Sequence, residues 1–289
     1  MIIKNGLLLS GGGSWGVFQV KVLKNLLKKK RYDFIYGSSV GALNGYFLSQ
    51  YPIDSQLTGI NDLYNIWYNS DSYTKNSFNM IGGFFSNGIY DNRHLKKTID
   101  DYTINQKKEL IYPNFKFVVT QSDTFQPFYV SNSIKENDIN VYKNFLLASA
   151  SIPIIFPTLK IDNINYFDGC FSNHLSNLIL PKGKIHFDYI TTYTDDSYSR
   201  YELNFDFTNG NLISKSNNLI MHMIQKKQNL DYLLFSEKLK NNNNIVGLNK
   251  YYIVKNSKLE ELKDINFFDF NSDIFHKIYD LDYRCKKII

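Results

Sequence analysis

A serine stands at the centre of a Gly-x-Ser-x-Gly pattern formed by Gly37, Ser39 and Gly41. The pattern lies between a short apolar segment and an apolar helical one, which is the context of a nucleophile elbow, where a strand turns sharply into a helix. Glycines suit these positions because a Cβ at either one would collide with the adjoining strand and helix. The spacing predicts Ser39 as a nucleophile for acyl chemistry, and a simple turn is the alternative interpretation.

A second glycine cluster, made of Gly11, Gly12 and Gly13, follows the first apolar segment. Consecutive glycines let backbone N–H groups converge on an anion, so this loop could bind phosphate, form an oxyanion hole or be a tight connection. A dinucleotide site fits poorly, because the acidic residue about 20 positions on is Asp33, beside the serine turn. A phosphate loop fails because no Gly-Lys-Ser/Thr follows. An oxyanion hole explains both glycine clusters together.

Four motifs in the same order make the chain resemble the patatin-like phospholipases. They are residues 11–16, residues 37–41, the segment Ala-Ser-Ala-Ser-Ile-Pro-Ile-Ile-Phe-Pro at 148–157, and Asp168-Gly169. The final third of the chain carries no recognisable motif. The resemblance implies an α/β fold of three layers, α/β/α, with a mostly parallel central sheet.

The resemblance also implies a catalytic dyad of Ser39 and Asp168 in place of a Ser-His-Asp triad. Asp168 would take the Ser39 proton and the N–H groups of the glycine loop would hold the oxyanion. An ordinary aspartate with a pKa of ~3.9 is a poor base at neutral pH, so we expect burial to raise its pKa. Locally, Asp168-Gly169 could equally be a turn after a hairpin. His174 is the one histidine that merits testing as an alternative base.

Two positions depart from the family pattern. Trp15 stands where the family usually has a basic residue, and Cys170 where it often has a small one. We expect Trp15 to change either how the glycine loop is braced or how lipid head groups are met. We do not expect Cys170 to act as a nucleophile.

Composition limits the class of protein. With 289 residues and 43% hydrophobic residues, the chain can bury a large core, and we expect one domain over residues 1–289. Two cysteines cannot form a dense disulfide framework, which favours a reducing compartment. A net charge of +6 favours anionic partners or simply solubility. No metal-binding cluster, signal peptide or apolar run of ~20 residues is evident, so we expect an intracellular protein peripheral to membranes, without metal or other cofactor.

Alternating short apolar runs and helical patterns predict the elements of an α/β fold. Strands are predicted at 2–10, 33–36, 115–121, 127–130, 159–161, 164–167, 187–193 and 251–255, and helices at 15–29, 54–68, 92–102, 141–151, 214–240 and 273–287. Asp162-Asn163 would form the hairpin turn between the fifth and sixth strands.

These observations predict a lipid acyl hydrolase, of phospholipase A type, that touches a membrane surface transiently and binds no nucleic acid. The alternatives are an inactive protein that binds lipid surfaces or partners, and a serine acyltransferase, which would need a histidine base. The loop at 80–85, with paired aromatics Phe84 and Phe85, is a candidate lid or membrane wedge. The lipid class, the acyl position cleaved and the oligomeric state stay open.

Overall fold

The structure is a computed structural model that describes residues 2–69, 91–103, 114–131, 139–195, 212–262 and 272–289. These residues form the strands β1 (Ile3–Leu9), β2 (Phe34–Ser38), β3 (Asn114–Gln121), β4 (Pro127–Ser131), β5 (Leu159–Ile161), β6 (Ile164–Asp168), β7 (Lys184–Thr194), β8 (Ile245–Ile253) and β9 (Tyr283–Lys287). They also form the helices α1 (Gly16–Leu26), α2 (Val40–Ser49), α3 (Gln56–Tyr68), α4 (Arg93–Asp101), α5 (Ile139–Ser149), α6 (Leu212–Lys240), α7 (Ser257–Glu260) and α8 (Ser272–Tyr279).

All nine of these strands belong to one sheet, in the order β5-β6-β3-β2-β1-β7-β8-β9, with β4 paired to β3. The five central strands β3, β2, β1, β7 and β8 are mutually parallel. Antiparallel strands flank them on both sides. The predicted mostly parallel α/β sheet is therefore confirmed.

Helices cover both faces of the sheet. Successive strand residues point to opposite faces, so neighbouring residues of one strand belong to different apolar clusters. Leu7, Leu9 and Ile35 pack in one buried cluster together with residues of α1, α2, α3 and α5. Leu8 and Tyr36 pack in a second cluster with residues of α6. Two apolar clusters separated by one sheet give the three-layer α/β/α arrangement, and they explain why the central strands read as continuous apolar runs.

The chain order places the two glycine motifs side by side. β2 lies on one side of β1 and β7 on the other, so the strand order reverses at β1. In open α/β sheets, ligands bind beyond the carboxyl ends of the strands at such a reversal. The Gly11 loop follows β1 and the Ser39 turn follows β2, so both lie at this edge.

The predicted hairpin is confirmed: β5 pairs antiparallel with β6. Asp162 and Asn163 both have positive φ, at 48° and 65°, as a two-residue hairpin turn requires. The predicted strand at 251–255 is instead the longer β8, which ends at Ile253.

The predicted terminal helix at 273–287 is wrong. The helix α8 ends at Tyr279, and the last residues form β9, which pairs with the edge strand β8. Pairing with an exposed sheet edge satisfies backbone groups that a longer helix would leave without that partner, and this tertiary contact has no signature in the local sequence. The candidate lid at 80–85 lies outside the described residues. None of the described helices is long and apolar enough to cross a membrane.

Candidate active site

Ser39 occupies a strained turn between β2 and α2. Its φ is 54° and its ψ is −129°, a conformation that a residue with a side chain rarely adopts and that costs about 1–3 kcal/mol. Both backbone groups of Ser39, its carbonyl and its N–H, form hydrogen bonds that hold the turn. The Ser39 carbonyl accepts a hydrogen bond from the Ala42 N–H at 2.8 Å, and the Ser39 N–H donates to Ser149 Oγ at 3.2 Å. Ser149 in turn donates to the Val118 carbonyl at 2.7 Å.

The glycines two residues either side of Ser39 are required by close backbone contacts. A Cβ on Gly37 would lie 2.3 Å from the Gly41 carbonyl oxygen, and a Cβ on Gly41 would lie 2.4 Å from the Leu9 carbonyl oxygen. Both distances are far below van der Waals contact. The steric reason predicted for the pattern therefore holds: helix α2 starts against β2 on one side and against the end of β1 on the other.

The glycine loop after β1 adopts a conformation that suits glycine alone. Gly12 and Gly13 have φ of 154° and 56°, and a Cβ on Gly12 would lie 2.2 Å from Thr192 Oγ1. The Gly11 carbonyl accepts from the hydroxyls of Thr192 at 2.6 Å and Ser10 at 3.0 Å. In the described part of the chain, the Gly12 and Gly13 N–H groups donate to no acceptor, so they are available to an anion.

Asp168 reaches this edge of the sheet from β6, which pairs antiparallel with β3. Its N–H donates to the Ser151 carbonyl at 2.9 Å, and its carbonyl accepts from Thr120 Oγ1 at 2.9 Å. Gly169 follows because the chain passes directly over β3: a Cβ there would lie 2.4 Å from the Val118 carbonyl oxygen. The Asp-Gly pair is thus fixed by its approach to the neighbouring strand.

The Asp168 carboxyl is completely buried. Burial raises its pKa from 3.8 to about 6, although interactions with the Ser39 side chain and with Cys170 lower it. Oδ1 accepts from the Cys170 N–H at 2.8 Å. Oδ2 has no hydrogen-bond partner among the described residues, so the Ser39 hydroxyl is near the carboxyl without a formed hydrogen bond. Catalytic hydrogen bonds are often this loose without substrate.

The glycine loop, the serine turn and the aspartate segment meet at Gly11. A Cβ on Gly11 would lie 2.4 Å from Cys170 Sγ and 3.0 Å from Ser39 Cβ. Three segments that are 28 residues or more apart in sequence therefore converge. The structure brings together all the predicted site residues: Gly11, Gly12, Gly13, Gly37, Ser39, Gly41 and Asp168.

The surroundings of three further residues favour structural roles for them: Cys170, Trp15 and His174. Burial raises the pKa of the Cys170 thiol well above its ordinary value, which keeps it protonated and agrees with the expectation that it is not a nucleophile. The Trp15 indole is 1% exposed and lies in the core, a position suited to bracing the glycine loop and not to meeting head groups. The ring of His174 pairs with the Tyr36 hydroxyl through Nδ1 at 3.0 Å. In the described ranges neither Ser39 nor Asp168 has a histidine as a hydrogen-bond partner.

Sequence reasoning missed three residues near this site: Ser149, Thr192 and Gln228. Ser149 lies in the 148–157 motif, so its position was visible but its contact with the Ser39 N–H was not. Thr192 lies near the end of β7, which is parallel to β1, so its place beside the glycine loop follows only once the strand order is known. No motif or spacing in the sequence pointed to Gln228. In the residues that the structure covers, no group of three or more His, Cys, Asp or Glu side chains could hold a metal ion.

Comparison with known proteins finds a family, a relative and solved structures that this chain is similar to. The family model described as patatin-like phospholipase matches residues 7–177. Triacylglycerol lipase 4 of Saccharomyces cerevisiae is 27% identical over 167 residues, which are 54% of this chain and 18% of that protein, so the chain spans less than a fifth of this relative. The crystal structure of VipD from Legionella pneumophila aligns over 99% of this chain and 68% of that one, at 12% identity and a TM-score of 0.35, a similarity too low to carry a conclusion.

Proposed function

Since the chain belongs to the patatin-like phospholipase family, we propose that it hydrolyses carboxylic esters of lipids, with Ser39 as nucleophile and Asp168 as base. The observation that carries the proposal is the buried Asp168 carboxyl, which interacts with the Ser39 side chain and has Oδ2 without a partner in the described chain. A purely structural aspartate at a turn would have its oxygens satisfied. An acceptor kept open beside a strained serine is suited to taking a proton.

Asp168 is tuned for this role by its surroundings. With a pKa of about 6 it is mostly ionised at neutral pH and still basic enough to accept a proton, which is the range in which general bases work best. The Cys170 N–H fixes Oδ1 and so orients the carboxylate. Oδ2 then accepts the proton as Ser39 Oγ forms its bond to the ester carbonyl carbon.

The tetrahedral intermediate carries a negative oxygen that needs hydrogen-bond donors. The Gly12 and Gly13 N–H groups have this role in the proposal, and the Thr192 hydroxyl holds their loop through the Gly11 carbonyl. Collapse of the intermediate expels the alcohol, which takes the proton from Asp168. Water then attacks the acyl-serine, Asp168 receives the water proton and passes it to Ser39 Oγ, and the fatty acid leaves.

We propose a phospholipase A type of activity, because the family description names phospholipases. Triacylglycerols are the competing substrate class, since the yeast relative is named a triacylglycerol lipase. Release of fatty acid from phosphatidylcholine vesicles and from triolein emulsions, measured side by side, separates the two.

A lipid substrate also requires contact with a lipid surface, and α6 offers a face for it. Among the side chains of this helix that the structure describes, five large apolar ones are exposed and recur at helical spacing: Leu219, Met223, Leu230, Leu233 and Leu234. The opposite side of α6 packs against the sheet through buried residues such as Phe235. A soluble protein rarely exposes an apolar stripe of this length without a use for it.

The charge along α6 favours an anionic lipid surface. Lys226 is exposed between the apolar residues, and the helix carries five lysines against two acidic residues, of which Asp231 is buried. An apolar stripe with lysines beside it is the pattern of helices that lie in the membrane interface. We therefore propose that this stripe, called here the α6 face, rests on an anionic bilayer during catalysis.

Hydrolysis of a medium-chain p-nitrophenyl ester tests the proposed chemistry. Ser39→Ala and Asp168→Asn should each reduce kcat by at least about 1,000-fold, because nucleophile and base act as a unit. Ser49→Ala is the matched control, a buried serine at the other end of α2 whose hydroxyl donates to the Tyr46 carbonyl; its kcat should stay near that of the wild type. Activity that survives in a folded Ser39→Ala variant would refute the proposal.

A further inference from the structure

Gln228 is a buried side chain of α6 that reaches the Ser39 centre from the third of the chain that carries no motif. Its side chain is 3% exposed, and it lies beyond residue 177, where the family match ends. The Nε2 atom has no hydrogen-bond partner in the described structure. A buried amide donor without an acceptor is destabilising, so its presence calls for an explanation.

The orientation of the Gln228 amide is fixed from one side. Its Oε1 accepts a hydrogen bond from the Tyr193 hydroxyl at 2.6 Å, and Tyr193 is a buried residue of β7, the strand beside β1. Because the oxygen is held by Tyr193, the NH2 group must point the other way.

That other direction is the catalytic centre. A Cβ on Gly11 would lie 3.0 Å from Gln228 Nε2 and 3.0 Å from Ser39 Cβ. The amide nitrogen and the serine side chain therefore both border this position next to the glycine loop, as does Cys170 Sγ, 2.4 Å from it. The Cys170 thiol lies beside this amide, and the contact with Gln228 lowers the pKa of the thiol. The contact falls short of hydrogen-bond geometry at Nε2, and a thiol sulfur is a weak acceptor.

We propose that Gln228 is a third donor of the oxyanion hole: its Nε2–H donates to the ester carbonyl oxygen as that oxygen becomes negative during attack by Ser39. This inference rests on the proposed function. Without substrate the donor is orphaned, and in the transition state it gains an anionic acceptor. A donor that is fixed in place and shielded from water stabilises the transition state more than the ground state, so its effect falls on kcat.

Replacement by methionine tests the proposal, because methionine keeps the unbranched shape of the side chain and removes the donor. Gln228→Met should lower kcat for the p-nitrophenyl ester by about 100-fold and leave KM near that of the wild type, as loss of one oxyanion donor does. Binding of an alkyl trifluoromethyl ketone, which forms a tetrahedral adduct with the serine, should weaken by the same factor. Tyr193→Phe, which retains the amide but frees its oxygen, should lower kcat by a smaller factor.

Gln56→Met is the matched control. Gln56 is a fully buried glutamine whose amide bonds both backbone groups of Tyr32, before the start of β2 and away from Ser39. It should lower the melting temperature without changing kcat.

Two results would overturn the role of Gln228. One is a folded Gln228→Met enzyme with wild-type kcat and ketone affinity, which would make the side chain a packing residue. The other is a loss confined to KM, which would make it a ground-state contact. Failure of the proposed function gives a different result, since Ser39→Ala would then stay active whatever residue stands at 228.

Discussion

The buried Asp168 carboxyl makes a prediction that links activity to stability. Its pKa of about 6 in the folded protein, against 3.8 for an exposed aspartate, means that the folded state holds this proton more tightly than the unfolded chain does. The stabilising contribution of the bound proton is complete below pH 3.8 and is lost as the pH rises through 6. At pH 8 the protein therefore carries a penalty of about 3 kcal/mol for burying the carboxylate.

Asp168→Asn removes that penalty along with the base. Relative to the wild type, the variant should gain about 3 kcal/mol of unfolding free energy at pH 8 and about half as much at pH 5, since at pH 5 the wild-type carboxyl is mostly protonated. Packing differences between the two side chains do not vary with pH. The pH dependence of the difference in unfolding free energy between the two proteins therefore reports only the ionisation of Asp168. Urea denaturation of both proteins at a series of pH values measures it.

The kinetics of the wild type must agree with the same pKa. The value of kcat/KM should fall tenfold for each pH unit below about 6, because only the ionised Asp168 accepts the Ser39 proton. A stability difference that is constant from pH 5 to pH 8, or a kinetic pKa near 4, would refute the reasoning.

Three further predictions concern the serine turn, the glycine loop and the α6 face. Gly41→Ala should destabilise the protein by at least about 3 kcal/mol in thermal melts, because the new methyl group meets backbone at the end of β1, which cannot yield as a side chain can. Thr192→Val should lower kcat by about tenfold, since it removes the hydroxyl that holds the Gly11 carbonyl. Leu230→Glu together with Leu234→Glu should abolish co-sedimentation with anionic vesicles while hydrolysis of a soluble ester persists.

The last two of these have clear controls. Thr192→Ser keeps the hydroxyl and should retain most of the activity; equal loss in both threonine variants would show that the hydroxyl is not what matters. Ile164→Glu changes an exposed apolar residue of the β5–β6 hairpin, at the opposite edge of the sheet from β8, and should leave vesicle binding intact. Vesicle binding that survives the double glutamate variant would mean that α6 is not the lipid contact.

The serine turn could be predicted from the sequence because its cause is local. Gly37 and Gly41 are needed by backbone that lies within a few residues or at the end of the first strand, so the spacing alone carries the information. The Asp162-Asn163 turn is equally local. Asp168 is different, because its place beside Ser39 depends on the pairing of β6 with β3, and only the family resemblance pointed to it.

The parts that escaped prediction depend on distant contacts. The last residues form β9 because the edge of β8 is there to receive them, although their local pattern favours a continued helix. Gln228 lies in a helix with no motif. Its proposed role depends on the packing of α6 beside the glycine loop and on the hydrogen bond from Tyr193 that orients the amide. Neither fact is encoded in the residues next to it.

Labelling with a fluorophosphonate, followed by peptide mass spectrometry, tests the central claim most directly, because such reagents react with activated serine nucleophiles. The account predicts one adduct per chain, on the peptide that contains Ser39, with much slower labelling in Asp168→Asn and none in Ser39→Ala. An adduct on another residue, or equal labelling of Ser39→Ala, would contradict it.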